Sequence, residues 1–91
     1  MNITIYGRPQ CPYCEKAIKL CEDKDVEFQY FTVGEPTHIS KEQLIEKIHT
    51  VSGDPDIVVR TVPQVFIADD AGNERYINGG YEGLYEELVK G

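Results

Sequence analysis

The sequence predicts an α/β fold of order β-α-β-α-β-β-α, with a four-stranded mixed sheet flanked by helices. Short runs rich in β-branched and aromatic residues alternate with amphipathic segments, and glycine or proline separates many of them. No internal repeat is apparent. The length of 91 residues suits one domain over residues 1–91, because a second core would need a longer chain.

The first half of the chain predicts a β-α-β unit. Residues 3–6 form a short run of β-branched and aromatic residues that suits a central strand. Across residues 12–24 the apolar side chains recur at helical spacing, and Pro12 fits a first helical turn because it loses no hydrogen bond there. Cys11 is thereby placed at the helix N-cap. Residues 26–33, rich in Phe, Tyr and Val, predict the second strand.

The second half predicts a helix, a hairpin and a terminal helix. Ser40 and Gln43 have the spacing of a capping box that begins the helix. Residues 62–67 give the strongest strand signal, and a turn rich in Asp, Gly and Asn leads to a partner strand over residues 75–77. Residues 82–90 predict the terminal helix. The side chains that these two helices are expected to bury are Leu44, Ile45, Ile48, Val51, Leu84, Tyr85, Leu88 and Val89.

Charge and cysteine content exclude several classes of protein. The chain has 9 Lys and Arg against 16 Asp and Glu, and its net charge of −7 disfavours nucleic acid and anionic lipid as partners. No apolar run is long enough for a membrane span, and no secretory signal is apparent. The chain has three cysteines, and an odd number would leave one thiol unpaired in a secreted domain built on disulfides. We therefore expect a reducing compartment, where cysteines serve in catalysis or metal binding. We expect a cytoplasmic monomer.

The segment Cys11-Pro12-Tyr13-Cys14 lies between a predicted strand and a predicted helix, the context in which this spacing is a redox motif. Unpaired backbone N–H groups and the helix dipole favour a thiolate at Cys11 and lower its pKa. Cys14, one turn further in, is expected to be the less exposed, resolving thiol. Tyr13 offers an aromatic edge to a substrate, and Arg8 favours the thiolate and can receive a carboxylate.

Other uses of these cysteines are less well supported. A zinc site needs four ligands, and the candidates beyond the motif are Cys21, His38 and His49, with no second close-spaced pair. We therefore expect no metal. Cys21 continues the apolar stripe of its helix and is interpreted as a buried hydrophobic residue, and both histidines as surface residues. A bridge across four residues closes too short a loop to add much stability.

The chain resembles a glutaredoxin. The resemblance rests on Cys11-Pro12-Tyr13-Cys14, Thr61-Val62-Pro63 and Gly79-Gly80-Tyr81, in this order on the predicted pattern. The resemblance covers nearly the whole chain, which is most similar to the small bacterial dithiol glutaredoxins and their phage-borne relatives. If the protein is encoded by a phage, we expect it to act in the host cytoplasm. The resemblance implies a thioredoxin fold and glutathione as co-substrate, with no bound cofactor. It also implies reduction of protein disulfides and glutathione mixed disulfides, with ribonucleotide reductase as a typical client.

The resemblance also assigns roles to particular residues. It makes Cys11 the nucleophile, Cys14 the resolving thiol and Pro63 a cis-proline that faces the disulfide. Backbone groups of Val62 would pair with the cysteinyl part of glutathione, and Arg8 would meet its glycine carboxylate. The helix after the glycine pair would meet the γ-glutamyl carboxylate. The residues that the resemblance places around glutathione are Arg8, Tyr13, Thr61, Val62, Pro63, Gly79, Gly80, Tyr81 and Glu82.

One departure from the family pattern leaves alternatives open. The family has an Asp shortly after its Gly-Gly-aromatic run, whereas this chain has Glu82-Gly83. Either Glu82 holds the γ-glutamyl ammonium from a neighbouring position or the pocket is weakened. One alternative function is a glutathione-independent redoxin reduced by a flavoprotein reductase. Another is a module that holds zinc or bridges an iron–sulfur cluster between two copies through Cys11 and glutathione.

Overall fold

The computed structural model describes residues 1–34, 39–59 and 61–90, which form four strands, three α-helices and a final turn of π-helix. The elements in chain order are β1 (Asn2–Gly7), α1 (Pro12–Asp23), β2 (Glu27–Thr32), α2 (Lys41–Ser52), β3 (Gln64–Ala68), β4 (Glu74–Ile77), α3 (Tyr81–Tyr85) and the π-helical turn (Glu86–Lys90). The predicted order of strands and helices is confirmed.

Within the described ranges the strands form one mixed sheet of order β2-β1-β3-β4. Strand β1 pairs parallel with β2 and antiparallel with β3, and β3 pairs antiparallel with β4. The turn between β3 and β4 is closed by the Asp69 carboxylate, which accepts hydrogen bonds from the backbone N–H groups of Ala71 and Asn73, both at 2.9 Å. The sheet therefore joins a β-α-β half to a hairpin half through its two central strands.

The helices cover both faces of this sheet, because successive strand residues point to opposite sides. Helices α1 and α3 pack on one face around Ile5, Val65 and Leu84, which are fully buried. Helix α2 covers the other face through Leu44 and Ile48, which pack with aromatic side chains of the strands. The aromatic members of this second cluster are Tyr6, Phe31, Phe66 and Tyr76. Strand β1 is thus buried from both sides and ends in the interior.

Local sequence signals set the starts of α1 and α2. The Ser40 hydroxyl accepts a hydrogen bond from the Gln43 backbone N–H at 3.1 Å, and the Gln43 side chain accepts one from the Ser40 backbone N–H at 2.9 Å. The predicted capping box is confirmed. Helix α1 begins at Pro12 with Cys11 as its N-cap, also as predicted. Helix α2 ends at Ser52, and the φ of 73° at its C-cap, Gly53, is the left-handed conformation that glycine adopts easily.

One predicted strand end and one prediction of burial are wrong. Strand β3 begins at Gln64 rather than Val62, because Pro63 has no backbone N–H to give to a ladder. The prediction that Tyr85 and Val89 are buried also fails, since they are 38% and 40% exposed. Tyr85 follows the buried Leu84 by one position and is rotated about 100° away from the core. Val89 lies in the π-helical turn, where the 3.6-residue spacing assumed for a helix is lost.

The other predictions of element ends and buried residues are confirmed. Most other strand and helix ends fall within one residue of their predicted positions. Among the predicted core residues, Leu44, Ile48 and Leu84 are buried, and Ile45, Val51 and Leu88 are partly buried. No helix within residues 1–34, 39–59 and 61–90 has the length and apolar character to cross a membrane.

Candidate active site

The Cys11–Cys14 pair lies at the end of the central strand, where α1 begins. In this structure the two cysteines form a disulfide, and their Cα atoms are 5.2 Å apart. The Cys14 backbone N–H donates a hydrogen bond to Cys11 Sγ at 3.3 Å, so the N-cap sulfur occupies the place of a capping oxygen. A thiolate formed there on reduction is stabilised by the same amide and by the positive end of the helix dipole.

The two sulfur atoms differ in accessibility. Cys14 is only 1% exposed and Cys11 is partly exposed, as the sequence predicts. Gly7, the last residue of β1, makes this burial possible. A side chain on Gly7 would overlap the Tyr30 hydroxyl, and its Cβ would come within 2.7 Å of Cys14 Sγ. Gly7 was not among the predicted site residues, although a glycine within a strand is a recognised sign of close approach of another chain segment.

A groove of about 310 Å³ lies beside the disulfide. Tyr13, between the two cysteines in sequence, forms one side, and its ring is 6.3 Å from that of Tyr81. The peptide bond between Val62 and Pro63 is cis, as the resemblance predicts. The described residues that line the groove are Tyr13, Thr61, Val62, Pro63, Gly79, Gly80, Tyr81 and Glu82. These are eight of the nine residues that the resemblance places around glutathione, so the fold brings three distant segments together.

Arg8 is the ninth of these residues, and it lies outside the groove lining. Its side chain is exposed, while its backbone carbonyl accepts a hydrogen bond from the Tyr30 hydroxyl at 3.1 Å. Tyr30 therefore fixes the start of the loop that leads to Cys11. This role was not predicted, because the contact spans 22 residues and depends on the parallel pairing of β1 and β2. Burial raises the pKa of the Tyr30 phenol, which keeps this hydrogen-bond donor protonated.

The structure gives a reason for the departure at Glu82-Gly83. An added Cβ at Gly83 would overlap the Asn78 carbonyl oxygen and lie 2.8 Å from a methyl group of Ile77. Helix α3 packs so closely on the end of β4 that this backbone has no room for a side chain at position 83. Glu82, the residue before, lines the groove and supplies its carboxylate.

The other candidate ligands do not form a metal site in the described part of the chain. No group of three or more His, Cys, Asp and Glu side chains gathers there. Cys21 is fully buried in the core, as predicted. His49 is partly buried rather than on the surface, and its Nε2 donates a hydrogen bond to the Ile57 carbonyl at 2.9 Å. His38 lies outside the described residues.

Cys11 and Cys21 are expected to differ sharply in reactivity once the protein is reduced. Burial raises the pKa of the Cys21 thiol to about 11, so about one part in a thousand is thiolate at pH 8. Cys11 is expected to react first with iodoacetamide in the reduced protein, with an apparent pKa well below that of a model thiol. Peptide mapping after alkylation from pH 4 to pH 10 measures both rates. An apparent Cys11 pKa close to that of a model thiol, or alkylation of Cys21 at a rate similar to that of Cys11, would contradict this prediction.

The chain is similar to known proteins over nearly its whole length. The family model described as Glutaredoxin matches residues 3–71. Glutaredoxin 1 of Rickettsia prowazekii is 40% identical over 91 residues, which cover 98% of this chain and 87% of that protein. The glutaredoxin of Haemophilus influenzae is 35% identical over 95 residues, which cover 99% of this chain and 92% of that protein. The likeness therefore extends over almost the whole of each chain.

Solved structures show the same fold. The NMR structure of reduced Escherichia coli glutaredoxin is similar with a TM-score of 0.65 and 31% sequence identity, covering 100% of both chains. The crystal structure of glutaredoxin 1 from Francisella tularensis, complexed with cacodylate, gives a TM-score of 0.62 at 27% identity and covers 98% of this chain and 93% of that one. With the paired cysteines at its helix start, the chain belongs to the glutaredoxin family and is a thiol–disulfide oxidoreductase with the thioredoxin fold.

Proposed function

We propose that this protein uses glutathione to reduce glutathione mixed disulfides and protein disulfides, with Cys11 as the nucleophile. The observation that carries the proposal is the groove beside the disulfide, which combines aromatic sides, exposed backbone at the glycine pair and one carboxylate. Its volume of about 310 Å³ suits a short peptide in an extended conformation. Its clients would be disulfide-bearing proteins of the cytoplasm, ribonucleotide reductase among them, and it would act as a monomer.

Each part of the groove suits a part of glutathione. Backbone groups of Val62 would pair with the cysteinyl residue, as an extended peptide adds to a strand edge. The ring of Tyr13, which is 55% exposed, would cover the ligand from one side. The Glu82 carboxylate would attract the γ-glutamyl ammonium. The exposed Arg8 would meet the glycine carboxylate from outside the lining.

The reaction is a sequence of thiol–disulfide exchanges. The Cys11 thiolate attacks one sulfur of the substrate disulfide, and the other sulfur leaves as a thiolate that takes a proton from water. Cys14, once deprotonated, attacks Cys11 Sγ and releases the second substrate thiol, which leaves the Cys11–Cys14 disulfide. Two molecules of glutathione then reduce this disulfide and leave as glutathione disulfide. Two electrons pass from glutathione to the substrate.

Turnover of a glutathionylated peptide, with glutathione as the only reductant, tests this proposal. We expect sustained release of peptide thiol. If the purified protein turns over only when a flavoprotein disulfide reductase and its nicotinamide cofactor are added, the proposal is wrong and the protein is a glutathione-independent redoxin. Metal analysis of the same preparation examines the remaining alternative, since a stoichiometric metal would favour a zinc or iron–sulfur module.

Substituting Cys14→Ser is expected to separate the two substrate classes. Glutathione can still resolve the mixed disulfide on Cys11, so deglutathionylation of the peptide should stay within about threefold of wild type. Reduction of a protein disulfide should fall at least about tenfold, and the protein should accumulate as a mixed disulfide with the variant. Non-reducing gels and mass spectrometry detect this species. Equal loss of both activities would contradict the assignment of Cys14 as the resolving thiol.

A further inference from the structure

We propose that Gln64 and Tyr76 are positioning residues that hold the groove segment Thr61-Val62-Pro63 in its binding conformation. This inference rests on the proposed function, because it concerns the affinity of the groove for a glutathione mixed disulfide. Neither residue lines the groove, and neither was among the predicted site residues.

Gln64 is a buried polar side chain at the start of β3, only 5% exposed. Its Nε2 donates a hydrogen bond to the Thr61 carbonyl oxygen at 2.7 Å. Its Oε1 accepts a hydrogen bond from the Tyr76 hydroxyl at 2.6 Å. These contacts connect β4 to the groove segment through one amide group.

The direction of these hydrogen bonds is fixed by chemistry. A backbone carbonyl oxygen can only accept, so the amide nitrogen of Gln64 must face Thr61. The amide oxygen must then face Tyr76, whose hydroxyl donates. Tyr76 thereby holds Gln64 in the one orientation that can bind the Thr61 carbonyl.

This arrangement fixes a segment that the sheet itself does not hold. Ladder pairing in β3 begins at Gln64, which lies opposite Tyr6 of β1, whereas residues 61–63 precede the strand. Without the Gln64 side chain, the Thr61 carbonyl oxygen loses the hydrogen bond that Gln64 donates to it. The segment would then occupy several conformations, and a ligand would have to select the competent one, which weakens apparent binding.

Substituting Tyr76→Phe tests the inference, because it removes only the hydroxyl and keeps the ring, whose centroid lies 5.5 Å from that of Phe66. We expect KM for a glutathionylated peptide to rise severalfold, while kcat and the alkylation pKa of Cys11 stay unchanged. Gln64→Met, of similar length, should raise KM about tenfold, which corresponds to about 1.4 kcal/mol. Adding Tyr76→Phe to Gln64→Met should change KM no further, since Tyr76 acts through Gln64.

Tyr6→Phe is the matched control. The Tyr6 hydroxyl belongs to the same cluster, but it accepts a hydrogen bond from Lys47 Nζ at 3.0 Å. Its removal should lower the melting temperature without changing KM. Wild-type KM in Tyr76→Phe, or an equal rise in Tyr6→Phe, would overturn the inference and leave the proposed function intact. Failure of the unmodified protein to use glutathione would instead overturn the proposed function. Should Gln64→Met not fold, Tyr76→Phe decides alone.

Discussion

Cys11→Ser is expected to reduce both deglutathionylation and protein disulfide reduction to background, a fall of at least about a thousandfold. The reason is that every covalent intermediate of the proposed mechanism forms on this sulfur. A serine hydroxyl at the N-cap would keep the hydrogen bond from the Cys14 backbone N–H and would not ionise near neutral pH. The fold should therefore remain, which far-UV circular dichroism and thermal melting can verify.

Cys21→Ala provides the matched control for loss of a thiol. Cys21 is free, buried and distant from the motif by two helical turns, so its removal should cost some stability and leave kcat/KM within about twofold. More than about a tenth of wild-type activity in Cys11→Ser would show that another sulfur carries the chemistry. A comparable loss in Cys21→Ala would show that the cysteine substitutions act through the fold.

Gly80→Ala is expected to raise KM for a glutathionylated peptide more than tenfold and to lower the melting temperature by about 10 °C. Gly80 has φ 58° and ψ −123°, a conformation that residues with a side chain rarely adopt. An added Cβ would also lie 2.7 Å from the Pro63 carbonyl oxygen, across the groove. The substitution therefore strains the backbone and pushes apart two walls of the ligand site.

Gly72→Ala separates these two effects. Gly72 also has a positive φ, of 86°, but an added Cβ would meet no atom within 4 Å. This variant should lose some stability through its backbone and keep the wild-type KM. If Gly80→Ala behaved like Gly72→Ala in both measurements, contact between the Gly80 backbone and Pro63 would have no part in ligand binding.

The parts of the fold that depend on neighbouring residues could be predicted from the sequence. The start of α1 needs only Pro12 and a capping group before it, and the start of α2 needs only Ser40 and Gln43. These signals act within one helical turn, so no knowledge of packing is required. The prediction for the terminal helix failed at Val89 because it assumed a constant helical period that the π-helical turn does not keep.

Contacts between distant segments could not be predicted in the same way. The Tyr30 hydroxyl bonds to the Arg8 carbonyl across 22 residues, and Tyr76 bonds to Gln64 across 12. Both contacts follow from strand register, which periodicity alone does not give. Apart from Tyr13, whose place in the motif already indicated contact with a substrate, the groove residues were predicted only through the resemblance to glutaredoxins, which carries information about register that a single sequence lacks.

The close fit of Cys14 against Gly7 bears on how partners can approach the oxidised protein. An incoming thiolate must reach the sulfur that it attacks, and Cys14, which packs against Gly7 at the strand end, is almost fully buried. We therefore expect an incoming thiolate to attack the sulfur of Cys11. By microscopic reversibility the same atom would then serve when electrons flow either way, so oxidation and reduction would share one covalent intermediate.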